Sequence, residues 1–412
     1  MNSSTAKMVE SCPLTIDIEG LGLDQGALLL VRRALEQVPE GGVLQVRGRS
    51  PEWDLHLRAW CRQQGHGCQV QAQADGELRA TVTRHYMALG RWRDAWATGA
   101  VDARQAQALA EHADPHWGLA ARGASVERGA PAFAFSLQDK HELWAATAGD
   151  LYAQAAAAQW DPATAIDWTG ATAPAPALEA AVVQLMTYLI ENENAALLVP
   201  ARHLGQMHPH FREVLQVLAL QCADEARHIE VFTRRLALHG HAPGLSTAGG
   251  QASLKTLFEA PDFSTATFLL SVLGEGTFVT LLNFLHEHAP DPVTRQIARL
   301  AARDEARHVA FGMAHLEYRL SVEPAYQSRL ALAVEQRFDE LAGTAGLNEE
   351  VFDALVILAG GGVDVAAVAR GHARVQTMKQ DMANGRKARL LRLGFERSQA
   401  QRLADLHTRN FM

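Results

Sequence analysis

Hydrophobic positions follow one rhythm up to about residue 84 and another beyond it. In the first part, short apolar runs change period repeatedly. LTIDIEG reads as a strand, ALLLVRRALEQV as an amphipathic helix ended by PEGG, and VLQVRG as a second strand. WDLHLRAWCRQQG reads as a helix stopped by glycine, and CQVQAQADGELRATVTR as two strands joined by an Asp-Gly turn. The predicted order is β-α-β-α-β-β, a small α/β sandwich over residues 1–84. Beyond it the strand signals vanish. Residues 85–134 are mixed and connecting, with one helix expected around VDARQAQALAEHA. From SLQDKHELWAATAGDLYAQAAAAQ onward apolar positions recur at the helical period. Residues 135–412 are expected to form a large all-α domain, with loops at WDPATAIDWTGATAPAPA, HGHAPGLSTAGG and HAPDP.

Within that helical part the pentapeptide DEARH occurs twice, at 224–228 and at 304–308. Each copy lies in an otherwise apolar stretch and contains Glu-x-x-His. Residues i and i+3 share one helix face. Glu225 with His228, and Glu305 with His308, therefore each present an oxygen and a nitrogen to one point. Buried charge of this kind is costly unless compensated, and a divalent metal ion compensates it.

A di-metal carboxylate site in a four-helix bundle needs one more Glu from each of the two remaining helices. TYLIENENAALLVPARHL and FLLSVLGEGTFVTLLNFL, one upstream of each DEARH, are apolar helices interrupted by acid. In the second only Glu275 fits; Ser271, Val272, Phe278 and Val279 flank it at helical spacing. In the first, Glu191 and Glu193 compete. Leu189, Ile190, Ala196 and Leu197 surround Glu193, whereas Thr187, Tyr188, Asn194 and Ala195 surround Glu191, so the core face belongs to Glu193. Glu193 precedes Glu225 by 32 residues and Glu275 precedes Glu305 by 30. The domain thus reads as two helical hairpins, each giving Glu plus Glu-x-x-His. A lone Glu-x-x-His is usually a solvated surface pair; two copies, each behind a core-facing Glu, are not explained that way. Carboxylate and imidazole ligands without thiolates suit iron or manganese.

The doubled DExRH over residues 137–412 resembles the ferritin-like di-iron carboxylate oxidases and oxygenases. AAAAQWDPATAIDW, YLIENENAALLVPARH and the terminal LHTRNFM look like uncharacterised ferritin-like proteins related to the para-aminobenzoate N-oxygenases. Those enzymes carry an extra histidine ligand that finds no counterpart here, so N-oxygenation is not favoured over other oxidations. The resemblance implies two iron ions (manganese or a mixed manganese/iron pair being compatible), dioxygen as co-substrate, and oxidation of a small organic molecule. It also implies that Asp224 and Asp304 each serve the histidine of the opposite hairpin, with Arg227 and Arg307 beside them. A ferroxidase or iron-storage protein and a radical-generating subunit are the alternatives; for the last, Tyr188 is the tyrosine nearest a proposed ligand. Residues 14–84 resemble TusA/SirA-type sulfur-carrier domains. Leu23 and Asp24 stand where that family has Cys-Pro, so the domain is expected to be non-catalytic.

Composition narrows the partners. A net charge of −8 argues against a general nucleic-acid or anionic-membrane binder. Four cysteines without CxxC spacing suggest a reducing compartment and no zinc site. The first twenty residues lack an apolar core of signal-peptide length, and VFDALVILAGGGVDVAAVA carries Asp353, Asp364 and three glycines in a row, unlike a bilayer span. A cytoplasmic protein is expected. Its partners on this reading are a small-molecule substrate, an electron-donor protein and a second copy of the chain in a homodimer. HPH at 208–210 and HGH at 239–241 read as exposed turns. Trp160, Asp167 and Trp168 are expected to lock a loop over the bundle. Gly274 and Gly276 leave room for oxygen or substrate, permit a helical bulge, or serve close packing. The basic run KQDMANGRKARLLRLGFERSQAQR reads as a solvated helix face able to dock an acidic electron carrier.

Overall fold

A computed structural model describes residues 13–74, 77–85, 94–170, 172–342 and 349–406. The expected Asp75-Gly76 turn, Cys12 and residues 407–412 lie outside that range. The chain forms two compact units, Met1–Thr98 with Gly123–Ala130, and Gly99–Arg122 with Pro131–Met412. The segment 85–134 contributes to both.

In the first unit the element order is β1 (Leu14–Asp17), α1 (Ala27–Glu36), β2 (Val43–Arg47), α2 (Trp53–Gln64), β3 (Gly67–Ala72) and β4 (Leu78–Thr83). The sheet order is β1-β2-β4-β3; β1 runs parallel to β2 and the other pairs are antiparallel. Alternation places Leu44, Val46, Ala80 and Val82 in the core, where Val31 and Leu35 of α1 and Trp53 and Leu57 of α2 join them. The predicted β-α-β-α-β-β order is the observed one. A short pair, β5 (Trp96–Ala97) and β6 (Ser125–Val126), completes the unit.

The second unit is helical. Short α3 (Lys140–Leu143) and α4 (Ala148–Ala157) lead into the long α5 (Pro176–Leu204) and α6 (Arg212–Leu238). Next come α7 (Ala248–Phe258) and α8 (Phe263–Thr267), which continues through a π-helical stretch, Phe268–Glu275, into α9 (Gly276–His288). Then follow α10 (Pro292–Val322), α11 (Tyr326–Ala342), α12 (Glu349–Gly360), α13 (Val365–Arg392) and α14 (Arg397–Asp405). Helix α5 packs on α6, and α9 on α10, as two hairpins. The run Phe263–His288 is long and apolar enough to cross a membrane, but most of it is buried within the protein.

Buried polar anchors fix the bundle. Asp291 caps α10 by accepting from Thr294 N–H at 2.8 Å, ahead of Pro292. Arg235 of α6, fully buried, donates to both carboxylate oxygens of Glu179 on α5 at 2.8 and 2.7 Å, and to Asp291 at 2.9 Å. A bidentate pair plus a cap ties three helices together and leaves the buried charge compensated. Helices α12 and α13 meet at 111°. Gly371 makes the crossing possible: a Cβ there would lie 1.9 Å from the Val356 carbonyl oxygen. Backbone cannot yield as a side-chain tip can. Gly371→Ala is therefore expected to cost about 1–3 kcal/mol of stability, read as a lower midpoint in thermal or urea unfolding.

Two expectations are corrected. Residues 101–113 form turns in place of a helix. Asp102 accepts from the Arg104 N–H, Gln107 has φ 62°, and the Ala110 and Ala113 N–H groups donate to His210 Nε2 and Gln138 O. Tertiary partners take the donors that a helix would use. The same contact overturns the exposed reading of HPH: His208 and His210 are 1% and 2% exposed. His239 and His241 are not buried.

Candidate metal centre

Four helical segments deliver six side chains to one place. Glu193 comes from α5, Glu225 and His228 from α6, Glu275 from the end of the π stretch, and Glu305 and His308 from α10. All six are buried, none more than 4% exposed. Glu191, its rival in sequence, is only half-buried and lies outside the cluster. The six divide into two overlapping sets of convergent donors: Glu193, Glu225, His228 and Glu305; and Glu225, Glu275, Glu305 and His308. Glu225 and Glu305 belong to both.

Distances show the convergence. His228 Nδ1 lies 3.1 Å from Glu225 and 3.6 Å from both Glu193 and Glu305. His308 Nδ1 lies 3.0 Å from Glu225 and 3.4 Å from Glu305. The last two contacts are close without making a hydrogen bond, and His308 Nδ1 has no partner. Glu193 Oε1, Glu225 Oε1, Glu275 Oε2 and both oxygens of Glu305 are likewise buried and unpartnered. So many orphaned acceptors are too costly for a core that uses only itself. Donors about 3 Å apart are what bonds of roughly 2 Å to a common ion require. The residues fit a pair of divalent ions.

Protonation follows from the crowding. Burial, then Glu225 and Glu305, hold the Glu193 carboxyl well above its usual range; burial, then Glu305, do the same to Glu275. Burial also pushes Glu225 up, but His308 and His228 outweigh it, and its value falls below the ordinary range.

The π stretch aims the fourth carboxylate. Extra backbone width occurs at functional positions, and here it ends on Glu275. Gly312 of α10 admits the stretch: a Cβ there would sit 2.8 Å from Ser271 Cβ. Gln221 donates to Glu275 Oε1 at 2.9 Å. Gln221 stands one turn before Glu225 on the same face, a buried amide that sequence reasoning passed over. It also lines a small cavity of about 10 Å³ with Val199, His203, Phe263, Ser271 and Phe311, room for about one water-sized molecule.

Behind the ligands the pairing is crossed. His228 Nε2 lies 3.2 Å from Asp304 Oδ2, and His308 Nε2 lies 3.3 Å from Asp224 Oδ2. Each histidine thus turns Nδ1 to the centre and Nε2 to the carboxylate of the other hairpin. Arg227 bonds Asp224 and also reaches Asp304 at 3.1 Å; Arg307 bonds Asp304 and lies 3.7 Å from Asp224. Two more supports come from the loop after α4. Gln159 donates to Asp224 at 2.9 Å and Trp160 Nε1–H to Asp304 at 2.8 Å, while Arg227 stacks on the Trp160 ring. Asp167 organises its own turn with Thr169, and Trp168 packs under Arg234 at 4.0 Å. Trp160→Phe keeps the ring but removes a donor to a buried carboxylate. It is expected to cost about 1.5–3 kcal/mol and to weaken metal binding about tenfold or more, measured by thermal unfolding and chelator competition.

No protein-family model and no curated protein matches the chain. Among solved structures, an R2-like ligand-binding oxidase variant with an aerobically reconstituted Mn/Fe cofactor is similar at 18% identity, over 61% of this chain and 93% of that one, with TM-score 0.44. Another variant, with an anaerobically reconstituted Mn/Fe cofactor, is similar at 17% identity over 60% and 92%, with TM-score 0.46.

Proposed function

We propose that the chain is a di-metal oxidoreductase that uses dioxygen to oxidise a small organic substrate, with Glu193, Glu225, His228, Glu275, Glu305 and His308 as ligands. One observation carries this reading: two buried donor sets share Glu225 and Glu305 and leave their convergent oxygens unpartnered. Bound there, two iron ions, or manganese with iron, supply the electrons that reduce dioxygen. The residues hold, orient and shield. Glu225 and Glu305 face both metal positions, while Glu193 and Glu275 close the two ends. Asp304 and Asp224 accept from Nε2–H of His228 and His308, which leaves Nδ1 free for metal. Gln221 steadies one oxygen of Glu275 and frees the other. The apolar walls of the helices keep bulk water out.

The test is metal analysis followed by oxygen exposure of the anaerobically iron-loaded protein. Stoichiometric iron, optical and paramagnetic changes on adding oxygen, and consumption of an added organic reductant are expected. Fewer than about one metal ion per chain after iron-replete expression sinks the proposal. Iron turnover with accumulation of ferric mineral points instead to a ferroxidase, and a tyrosyl radical signal to a radical-generating subunit.

A further inference from the structure

The basic run near the C-terminus is not a solvated face throughout. Arg386 of α13 is 4% exposed, and Arg389, one turn on, has buried Nε and Nη2 atoms without a hydrogen-bond partner. Among the described residues Arg386 reaches Thr277 Oγ1 and the Ala404 carbonyl oxygen, both at 3.4 Å, the far limit of a hydrogen bond. The Arg389 guanidinium lies over Gly276: a Cβ there would be 2.5 Å from Cζ. Glycine beside Glu275 is thus explained by the arginine it accommodates. Among the described residues neither guanidinium has a carboxylate within ion-pair distance. Burial, which the more distant Asp405 only partly offsets at Arg386 and which the charge of Arg386 reinforces at Arg389, holds both down to about 10. They remain cationic at neutral pH.

Two largely buried guanidinium groups on adjacent turns, without a carboxylate in ion-pair reach, are an expensive arrangement. Other buried guanidinium groups of this fold have close partners: Arg235 has Glu179 and Asp291, Arg122 has Glu213, and Arg337, without a carboxylate, donates to Thr256 Oγ1 and Ser253 Oγ at 2.8 Å. From this contrast we propose that Arg386 and Arg389, where α13 meets α9 and α14, form a binding site for a small oxyanion, a carboxylate or phosphate group. The planar guanidinium fork matches either group through paired N–H donors. Arg389 supplies free Nε and Nη2 donors, and Thr277 and Gly276 place the site on the helix that carries Glu275. The inference stands on these side chains and does not depend on the metal reading.

Thermal unfolding of the metal-free full chain tests it, in sodium benzoate and in sodium phosphate against sodium chloride at equal ionic strength. A saturable rise in midpoint with one or both oxyanions is expected; benzoate alone assigns a carboxylate site, and phosphate alone a phosphate site. Arg386→Met/Arg389→Met is expected to fold, having lost two unpaired buried charges, and to weaken the response at least tenfold. Arg389→Lys, which keeps charge but not the fork, is expected to weaken it as well. Whichever oxyanion response the wild-type chain shows is expected to persist in Glu193→Gln, so failure of the metal centre leaves this result intact. No saturable response to either oxyanion in the wild-type chain overturns the proposal, as does an undiminished response in the double variant.

Discussion

Glu225→Gln is expected to empty both metal positions, whereas Glu193→Gln empties one. Glu225 belongs to both donor sets and Glu193 to a single one. Glutamine keeps the volume and removes the charge, so the two variants differ in connectivity rather than in packing. Metal per chain by mass spectrometry after iron-replete expression should fall from about two to near zero for Glu225→Gln and to about one for Glu193→Gln. Circular dichroism should show both folded, since glutamine fills the same volume as the glutamate it replaces. Full metal content in Glu193→Gln, with loss in Glu191→Gln, would overturn the ligand assignment.

Metal and pH should act on stability in a linked way. In the metal-free protein Glu193 and Glu275 are held above the ordinary carboxylate value of 4.5. His228 and His308 are held above 6.5: burial opposes their charge, but Glu193 and Glu225 respectively outweigh it. A group whose folded value is raised stabilises below its unfolded value, and that stability is lost as pH rises through the folded one. These four groups therefore make the metal-free fold weaker from mildly acidic pH upward. At the acid end Glu225, Asp224 and Asp304 are held low because histidine partners outweigh the effect of burial. Their stabilisation is lost as pH falls through those depressed values. Metal-free stability should peak at weakly acidic pH. Metal ions displace the retained protons, so their binding tightens as pH rises. At free metal a thousandfold above Kd the loaded protein gains about 4 kcal/mol. Unfolding midpoints of chelated and metal-loaded protein should diverge from about pH 5.5 to about pH 8. A constant gap across that range would contradict the ligand chemistry.

The ligands were legible because their geometry is local. Glu-x-x-His needs only one helical turn, and the apolar neighbours at i±3 and i±4 separated Glu193 from Glu191. Repetition supplied the rest, since two DEARH copies at similar offsets from Glu193 and Glu275 define two hairpins. What the sequence hid depends on distant partners. Trp160 reads as a loop residue until it meets Asp304, 144 positions away. The 101–113 segment has helical composition, but its N–H groups find His210 and Gln138. Arg386 and Arg389 were lost in a run of cations, where half-buried Lys379 and Lys387 and exposed Arg392, Arg397 and Arg402 mask the buried face. Gln221 was within reach: a polar residue on the ligand face, one turn before Glu225, needs a partner in the core.

The crossed support behind the histidines has a consequence for how such a molecule can change over generations. Asp224 holds His308, 84 positions away, and Asp304 holds His228. Neither hairpin owns the carboxylate that holds Nε2 of its own imidazole. A substitution at Asp224 is therefore felt in the other half of the chain. Each DEARH segment is the other's environment, so a change in one must be answered in the other.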